Sequence, residues 1–331
     1  MDLARFRYEL PDDAIAQEPM EPRDAARLLD ARDLSDHHFR DLPDLLLPGD
    51  LVVMNTTRVR RARLLGHRAG TGGAVELLLL HRNPDGGWSA LVSPARRIRA
   101  GVELVFGPLQ AVVTDDPVDG VLAVTFADES LLEEVGTVPL PPYIRTELSD
   151  PERYQTVYAE TPGSAAAPTA GLHFTEGVLR ALDARGVERA TVELRVGLGT
   201  FRPITVDRIE DHEMHREWCA VPEATARAIS EARRRGGRVV AVGTTTVRTL
   251  ETFARPDGTV GHGETETDLF LRPGSTFHVV NLLVTNFHVP GSSLLVMLAA
   301  FMGDGWVEAY RVALERRYRF LSFGDAMLCE R

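Results

Sequence analysis

The chain has 331 residues, of which 44% are hydrophobic and 26% are charged, as is usual for a globular protein with one large or two modest domains. Its net charge of −11 excludes indiscriminate binding to nucleic acid, which a basic surface would provide. The two cysteines, Cys219 and Cys329, exclude a disulfide framework and a cysteine-rich zinc site.

The N-terminal part of the chain predicts a buried strand and no targeting signal. Residues 1–11 lack the apolar core of a secretory signal, and no apolar run in the chain reaches the roughly 20 residues of a membrane span. We therefore expect a cytoplasmic protein with no membrane contact. The apolar residues 51–54 predict a strand, and we expect Asn55 and Arg58 after it to contact a ligand or to lead into the next domain.

Residues 74–126 predict a small antiparallel barrel or sandwich. Turn sequences such as N-P-D-G-G separate short β-prone runs, as in successive hairpins. The proline-rich sequence P-L-P-P-Y-I (139–144) predicts the exit from this domain. The predicted strands are 74–80, 88–93, 102–106, 110–114 and 121–126.

The following residues alternate between helix-like and strand-like patterns, which predicts an α/β domain. The predicted fold is therefore a discontinuous α/β domain with a mixed sheet (1–59 and 148–331) and an inserted antiparallel β-barrel domain (60–147). The predicted helices are 175–185, 222–235 and 294–301, and the predicted strands between them are 191–196 and 238–243.

Residues 154–203 contain the pattern most indicative of a binding site. A loop rich in Gly, Ala and Pro ends in A-A-P-T-A-G-L-H-F-T (166–175), and a second glycine turn, V-G-L-G-T-F-R-P, follows at 196–203. Small residues allow a backbone to approach a ligand closely, and His173 can move protons near neutral pH. Alternatively, His173 satisfies backbone groups beneath the loop.

Two other polar segments are candidates for function. The histidines of H-E-M-H (212–215) are three residues apart, unlike the zinc-binding pair of H-E-x-x-H, so we predict no metal site there. Residues 244–248 follow a strand and present threonine hydroxyls and the Arg248 guanidinium. These groups suit a carboxylate, ribose hydroxyls or a phosphate, although one threonine can instead cap a helix.

Motifs along the whole chain resemble those of one enzyme family. The sequence A-A-P-T-A-G-L-H-F-T is similar to the signature of the S-adenosylmethionine:tRNA ribosyltransferase-isomerases of the queuosine pathway. Further matches follow the family order: Y-E-L-P-D-D-A-I-A-Q-E-P (8–19), P-R-D-A-A-R-L-L (22–29), P-G-D-L-V-V-M-N-T-T-R-V (48–59), H-E-M-H (212–215), V-G-T-T-T-V-R-T-L-E (242–251), T-N-F-H-V-P (285–290) and Y-R-F-L-S-F-G-D-A-M-L (318–328).

The resemblance implies an enzyme that uses S-adenosylmethionine as a ribosyl donor. The acceptor is 7-aminomethyl-7-deazaguanine at the wobble position of a tRNA anticodon stem-loop, and adenine and methionine are released. S-adenosylmethionine is then a consumed substrate, and no metal, redox cofactor or ATP is needed. The resemblance also implies the two-domain plan given above, and we expect a monomer.

The resemblance and the residue chemistry together nominate the site. The expected acid–base residues are His173, His215, His288 and Asp325, without an assignment of base and acid. The expected substrate-binding residues are Asn55, Arg58, Thr169, Ala170, Gly171, Gly197, Gly199, Thr200, Thr244, Thr245, Arg248, Asn286 and Phe287.

Three positions depart from the family pattern. Arg195 stands in place of a histidine, Thr56 in place of an aspartate, and Gly291 in place of a basic residue. They leave open a paralogue that uses S-adenosylmethionine on a different, non-tRNA acceptor. A non-catalytic RNA-binding protein on the same scaffold is a third alternative, against which the many proton-carrying side chains count.

Overall fold

The computed structural model describes residues 1–84, 86–197 and 204–331. These residues form two compact units, Met1–Arg58 with Pro141–Arg331 and Val59–Leu140. We predicted domain boundaries after residues 59 and 147, whereas the compact units change over after Arg58 and Leu140.

The secondary structure alternates as follows. The strands are β1 (Arg27–Asp30), β2 (Ser35–His38), β3 (Leu51–Asn55), β4 (Thr57–Val59), β5 (Arg63–Arg68), β6 (Ala74–Arg82), β7 (Trp88–Ser93), β8 (Glu103–Phe106), β9 (Leu109–Val113), β10 (Val121–Phe126), β11 (Thr161–Ser164), β12 (Glu188–Leu194), β13 (Glu217–Val221), β14 (Val239–Val242), β15 (Gly263–Thr267), β16 (Leu282–Asn286) and β17 (Ala326–Glu330). The helices are α1 (Leu42–Leu45), α2 (Leu132–Val135), α3 (Glu176–Ala184), α4 (Glu223–Arg234), α5 (Thr244–Thr252), α6 (Ser293–Met302) and α7 (Gly305–Glu315).

The larger unit is built on a mixed sheet, which confirms the predicted fold class. The strand order is β15-β13-β12-β3-β14-β16-β17-β1-β2. Strands β12, β3, β14 and β16 are parallel neighbours, so that Val53 lies opposite both Ala190 and Ala241. Antiparallel pairs, such as β16 with β17 and β12 with β13, complete the sheet.

Both faces of the central strands are buried, as expected for a parallel sheet covered by helices. Side chains alternate across β3, so that Leu51 and Val53 pack in one core with residues of α4, α5, α6 and α7. Val52 and Met54 pack in a second core with residues of α1 and α3. The apolar run at 51–54 is therefore a strand without a solvent-facing side.

Local signals set the ends of the helices. Thr175 precedes α3 and accepts a hydrogen bond from the backbone N–H of Val178 at 3.2 Å, while Gly186 follows with φ +71°. Helix α6 contains the predicted core helix 294–301, and its residues are mostly buried. Among the described residues, no helix combines the length and apolar character needed to cross a membrane.

The smaller unit contains a closed antiparallel barrel with the strand order β10-β7-β6-β5-β8-β9. We predicted the other barrel strands but missed β5, because its arginines resemble a solvated basic segment. Within β5, Leu64 is fully buried, and Gly66 leaves no room for a Cβ, which would lie 2.2 Å from the carbonyl oxygen of Val105. Close packing therefore places this strand in the barrel, although its sequence is rich in polar residues.

A buried carboxylate, that of Asp50, lies where strands β3 and β14 begin. Asp50 accepts hydrogen bonds from the backbone N–H groups of Leu47 and Arg238, each at 2.9 Å, and from the Arg238 guanidinium at 2.6 Å. Burial opposes its ionisation, but the hydrogen bonds with Arg238 hold the pKa of Asp50 below its usual value. The carboxylate therefore joins the starts of β3 and β14.

We expect Asp50→Asn to lower the free energy of unfolding by about 3 kcal/mol, because it leaves the Arg238 charge without its buried partner. The matched control is Asp44→Asn, which removes the exposed ion pair with Arg185 and costs about 0.5 kcal/mol. Urea unfolding of both variants measures the difference. Equal losses would contradict a special role for Asp50.

Candidate active site

The parallel strands bring several predicted site residues to one edge of the sheet. Asn55 and Asn286 end β3 and β16, Gly243 follows β14, and Val196 lies just beyond the end of β12. The carboxyl ends of parallel strands are the usual place for a ligand in an α/β fold, since loops diverge there around a crevice.

A cavity of about 310 Å³ lies at this edge. Its lining is mostly apolar, with threonine, serine, tyrosine and asparagine groups and one histidine, and it contains no acidic or basic side chain except that histidine among the described residues. The lining residues are Pro142, Tyr143, 166–170, Val196, 243–245, 285–290, Ser292, Leu294, Leu321 and Ser322.

The side chain of Asn286 connects the segments that surround the cavity. Its Oδ1 accepts a hydrogen bond from Thr169 Oγ1 at 2.9 Å, and its Nδ2 donates to the carbonyl oxygen of Leu321 at 3.0 Å. Thr169 begins the short helical turn Thr169–His173, in which Ala170 also lines the cavity. The predicted residues Thr169, Ala170 and Asn286 therefore meet in one place.

His288 is the histidine on the cavity lining. Its Nε2 lies 2.9 Å from Thr285 Oγ1, its backbone N–H donates to Tyr310, and its carbonyl oxygen accepts from Tyr8. Burial lowers the pKa of His288 to about 3, so the imidazole is neutral at physiological pH. In either tautomer, one ring nitrogen of this neutral imidazole carries the proton and the other is a proton acceptor.

The start of α5 forms another part of the lining. Gly243 precedes the helix with φ +83°, a conformation that favours glycine, and no side chain caps this end, contrary to the alternative of a threonine cap. Thr244 and Thr245 line the cavity, and Asn55 Nδ2 lies 3.3 Å from Thr245 Oγ1. Asn55 therefore helps to position Thr245, which is a lining residue.

Arg248 lies in a smaller chamber of about 20 Å³ that shares Thr244 and Thr245 with the cavity. Its guanidinium is buried and forms an ion pair with Glu217, whose other carboxylate oxygen accepts from the backbone N–H of Gly197 at 2.7 Å. This arrangement joins α5, β13 and the end of β12. Gly199 and Thr200, which we predicted to bind substrate, lie outside the described residues.

His173 is not among the described residues that line this cavity and instead lines a second, smaller chamber with Arg23 and Arg319. The ring is buried beside the turn, with Nδ1 3.1 Å from the carbonyl oxygen of Ala170 and Nε2 2.9 Å from that of Gly324. It stacks on Phe39 at 4.9 Å, and burial lowers its pKa. These contacts match the alternative of a histidine that satisfies backbone groups, and its catalytic role stays a prediction.

Several other predicted residues have contacts away from the cavity. Asp325 accepts hydrogen bonds from the backbone N–H groups of Arg27 and Arg319 at 2.9 and 2.8 Å. Arg58 forms an ion pair with Glu152, and His215 is exposed.

Phe287 and Gly171 are also engaged in packing. Phe287 contributes to the lining, but its fully buried ring stacks on Phe320 at 4.7 Å. Gly171 allows the close approach of Tyr158, whose hydroxyl would lie 2.1 Å from a Cβ at this position. The functions predicted for these residues stay predictions.

The sequence reasoning missed Tyr143 and Ser322, which line the cavity and are hydrogen-bonded to each other at 2.7 Å. Tyr143 lies in the segment that we interpreted as the exit from the barrel. Ser322 lies within Y-R-F-L-S-F-G-D, a motif that matched the family and pointed to Asp325. For Ser322, its place inside a matched segment was the available signal, whereas Tyr143 lies outside the matched segments and had none.

Comparison with known proteins agrees with the resemblance in the motifs. A family model described as queuosine biosynthesis protein matches residues 3–329. The chain is 52% identical over 340 residues to the S-adenosylmethionine:tRNA ribosyltransferase-isomerase of Moorella thermoacetica and 53% identical over 339 residues to that of Symbiobacterium thermophilum, with 99% of each chain covered.

A solved structure gives the same result. The crystal structure of S-adenosylmethionine tRNA ribosyltransferase from Thermotoga maritima is 41% identical, has a TM-score of 0.54, and is matched over 98% of this chain and 99% of that chain. The chain therefore belongs to the queuosine biosynthesis protein family.

Proposed function

We propose that this protein is an S-adenosylmethionine:tRNA ribosyltransferase-isomerase. It transfers and isomerises the ribosyl group of S-adenosylmethionine onto 7-aminomethyl-7-deazaguanine at the wobble position of tRNA, with release of adenine and methionine. The observation that carries the proposal is the cavity of about 310 Å³ with a neutral histidine on its lining, in a chain about half identical to relatives of that name.

The cavity suits the donor in size and in chemistry. Its volume is within the roughly 300–1,000 Å³ of small-molecule sites, and its apolar lining with few polar groups is typical of them. Helices α5 and α6 both begin beside the lining, at Thr244 and Ser293. The positive dipole end of a helix start favours a carboxylate, such as that of the methionine moiety, and at α6 the Ser292 hydroxyl already accepts from the N–H of Leu295.

The reaction needs a base, an acid and a site that accepts a cation. The sulfonium acidifies the C5′ carbon of the ribose, so a base can remove a proton to give an ylide that expels adenine. The expelled adenine takes up a proton, the amine of the acceptor adds to the rearranged sugar, and methionine leaves as the epoxide closes. S-adenosylmethionine is consumed as a substrate, and these steps use no metal, redox cofactor or ATP.

His288 is the base in this proposal, in place of His173, because His288 lines the cavity. A pKa of about 3 makes a neutral imidazole available but weakly basic in the empty site. Burial, however, penalises every cation in the cavity, including the sulfonium. Proton transfer turns the cationic donor into a net-neutral ylide and the imidazole into an imidazolium, so the site holds one net positive charge before and after the step.

The departures from the family pattern do not contribute to the cavity. Arg195 is exposed and stacks on Trp218, with its guanidinium 4.0 Å from the ring centroid. Thr56 is buried against β12, and Gly291 has φ +67°, outside the lining. None of the three positions therefore belongs to the described lining that we assign to the donor.

Adenine release tests the proposed function directly. We expect the protein to release adenine from S-adenosylmethionine in the presence of an anticodon stem-loop that carries 7-aminomethyl-7-deazaguanine, with a matching gain in the mass of the RNA. The control is the same stem-loop with guanine at that position. No release from folded protein that binds the donor would contradict the proposed acceptor.

We expect His288→Gln to lower kcat/KM for adenine release by about 10²- to 10⁴-fold, the usual contribution of a general base. The matched control is His262→Gln, since His262 is exposed and outside the lining, and it should retain the wild-type rate. Initial-rate assays of adenine release with the modified stem-loop measure kcat/KM for both variants. A His288→Gln rate within threefold of wild type would remove His288 from the mechanism.

The same burial predicts a pH-dependent stability. The unfolded chain binds a proton at His288 near pH 6.5, whereas the folded protein does so only near pH 3, so stability is lost as the pH falls through this interval. Between pH 7 and pH 5, wild-type protein should lose about 2 kcal/mol more of its unfolding free energy than His288→Gln. Urea unfolding at both pH values checks this, and equal losses would show that His288 titrates normally.

A further inference from the structure

A pair of hydroxyl groups on the cavity wall has no assigned function. Tyr143 Oη and Ser322 Oγ are 2.7 Å apart, and both residues line the cavity. Each group can act as the donor in this hydrogen bond. Whichever one donates, the hydroxyl that accepts keeps its own proton for a further hydrogen bond.

A third hydroxyl lies behind this pair. Tyr154 is fully buried, and its hydroxyl has no hydrogen-bond partner among the described residues. It lies beside Ser322, Tyr143 and the backbone of Ala167, all of which belong to the lining. Tyr154 is not itself a lining residue, so it can act on a ligand only through the neighbouring Ser322 and Tyr143.

The backbone holds Ser322 in place. Leu321 has φ +69°, a conformation that is uncommon for a residue with a side chain, and its carbonyl oxygen accepts the hydrogen bond from Asn286. The strained residue directly precedes Ser322. The backbone directly before Ser322 is therefore held by Asn286, and the serine hydroxyl itself is hydrogen-bonded to Tyr143.

The hydroxyls stay uncharged at physiological pH. Burial raises the pKa of Tyr143 to about 12 and raises the pKa of Tyr154 as well. Neutral hydroxyls both donate and accept, and this pattern is complementary to the hydroxyl groups of a sugar. A carboxylate or phosphate, by contrast, needs donors alone.

We propose that Tyr143 and Ser322, supported by Tyr154, form the subsite for the vicinal hydroxyls of the ribosyl group. This inference rests on the proposed function and adds the part of the cavity in which the transferred sugar lies. The methionine carboxylate then lies towards the starts of α5 and α6, which contribute other residues of the lining.

The test compares binding of S-adenosylmethionine with binding of its 2′,3′-dideoxy analogue by calorimetry. Wild-type protein should bind S-adenosylmethionine about tenfold more tightly, as two modest hydrogen bonds would give. In the Tyr143→Phe/Ser322→Ala double variant, the two affinities should differ by less than twofold. Tyr154→Phe alone should reduce the ratio about twofold.

Tyr158→Phe is the matched control, because the Tyr158 hydroxyl, like that of Tyr154, is buried without a partner among the described residues and lies outside the lining, but it is not beside Ser322 or Tyr143. It should keep the wild-type ratio of affinities. A ratio that persists in the double variant, or one that also collapses in the control, would overturn the subsite.

The failure of the subsite is distinguishable from the failure of the proposed function. A wild-type protein that does not bind S-adenosylmethionine would overturn both. A wild-type protein that binds it, releases adenine with the modified stem-loop and shows no preference over the dideoxy analogue would overturn only the subsite.

Discussion

The cavity depends on the buried amide of Asn286, which is hydrogen-bonded to segments on two sides. Asn286 ends β16 in the sheet. Its partner Thr169 is 117 residues earlier in the chain, and its partner Leu321 is 35 residues later. An amide left without partners in the interior costs about 1–3 kcal/mol, so both segments are held against the sheet. His288 is two residues after Asn286, and Ser322 directly follows Leu321. The two hydrogen bonds of Asn286 therefore also position these two lining residues.

The described residues that line the cavity are uncharged, and the charged side chains near them have partners. The Arg248 guanidinium is paired with Glu217, and the Asp325 carboxylate is satisfied by two backbone N–H groups. The remaining wall presents neutral groups, including an imidazole that burial keeps unprotonated. Such a wall can receive a sulfonium without repelling it, and the low polarity strengthens each hydrogen bond to the sugar.

The small residues of the 166–175 loop serve more than one physical purpose. Ala166, Ala167 and Ala170 line the cavity, where a longer side chain would fill it. Gly171 instead gives room to the Tyr158 ring. Beyond it, His173 connects this turn to the segment before β17 through two carbonyl contacts. A loop that looks like a binding motif is therefore part lining and part packing.

The sequence by itself determined the fold class, most strands and helices, and the family, because alternation, helix ends and motifs are local properties of the chain. It also nominated Thr169, Asn286 and His288, which do share a cavity. It did not distinguish His288 from His173, and it missed β5 and the Tyr143–Ser322 pair. Those points depend on which distant segments meet: His173 lies against the carbonyl oxygen of Gly324 only after residues 151 positions apart have packed together, and no local pattern records that contact.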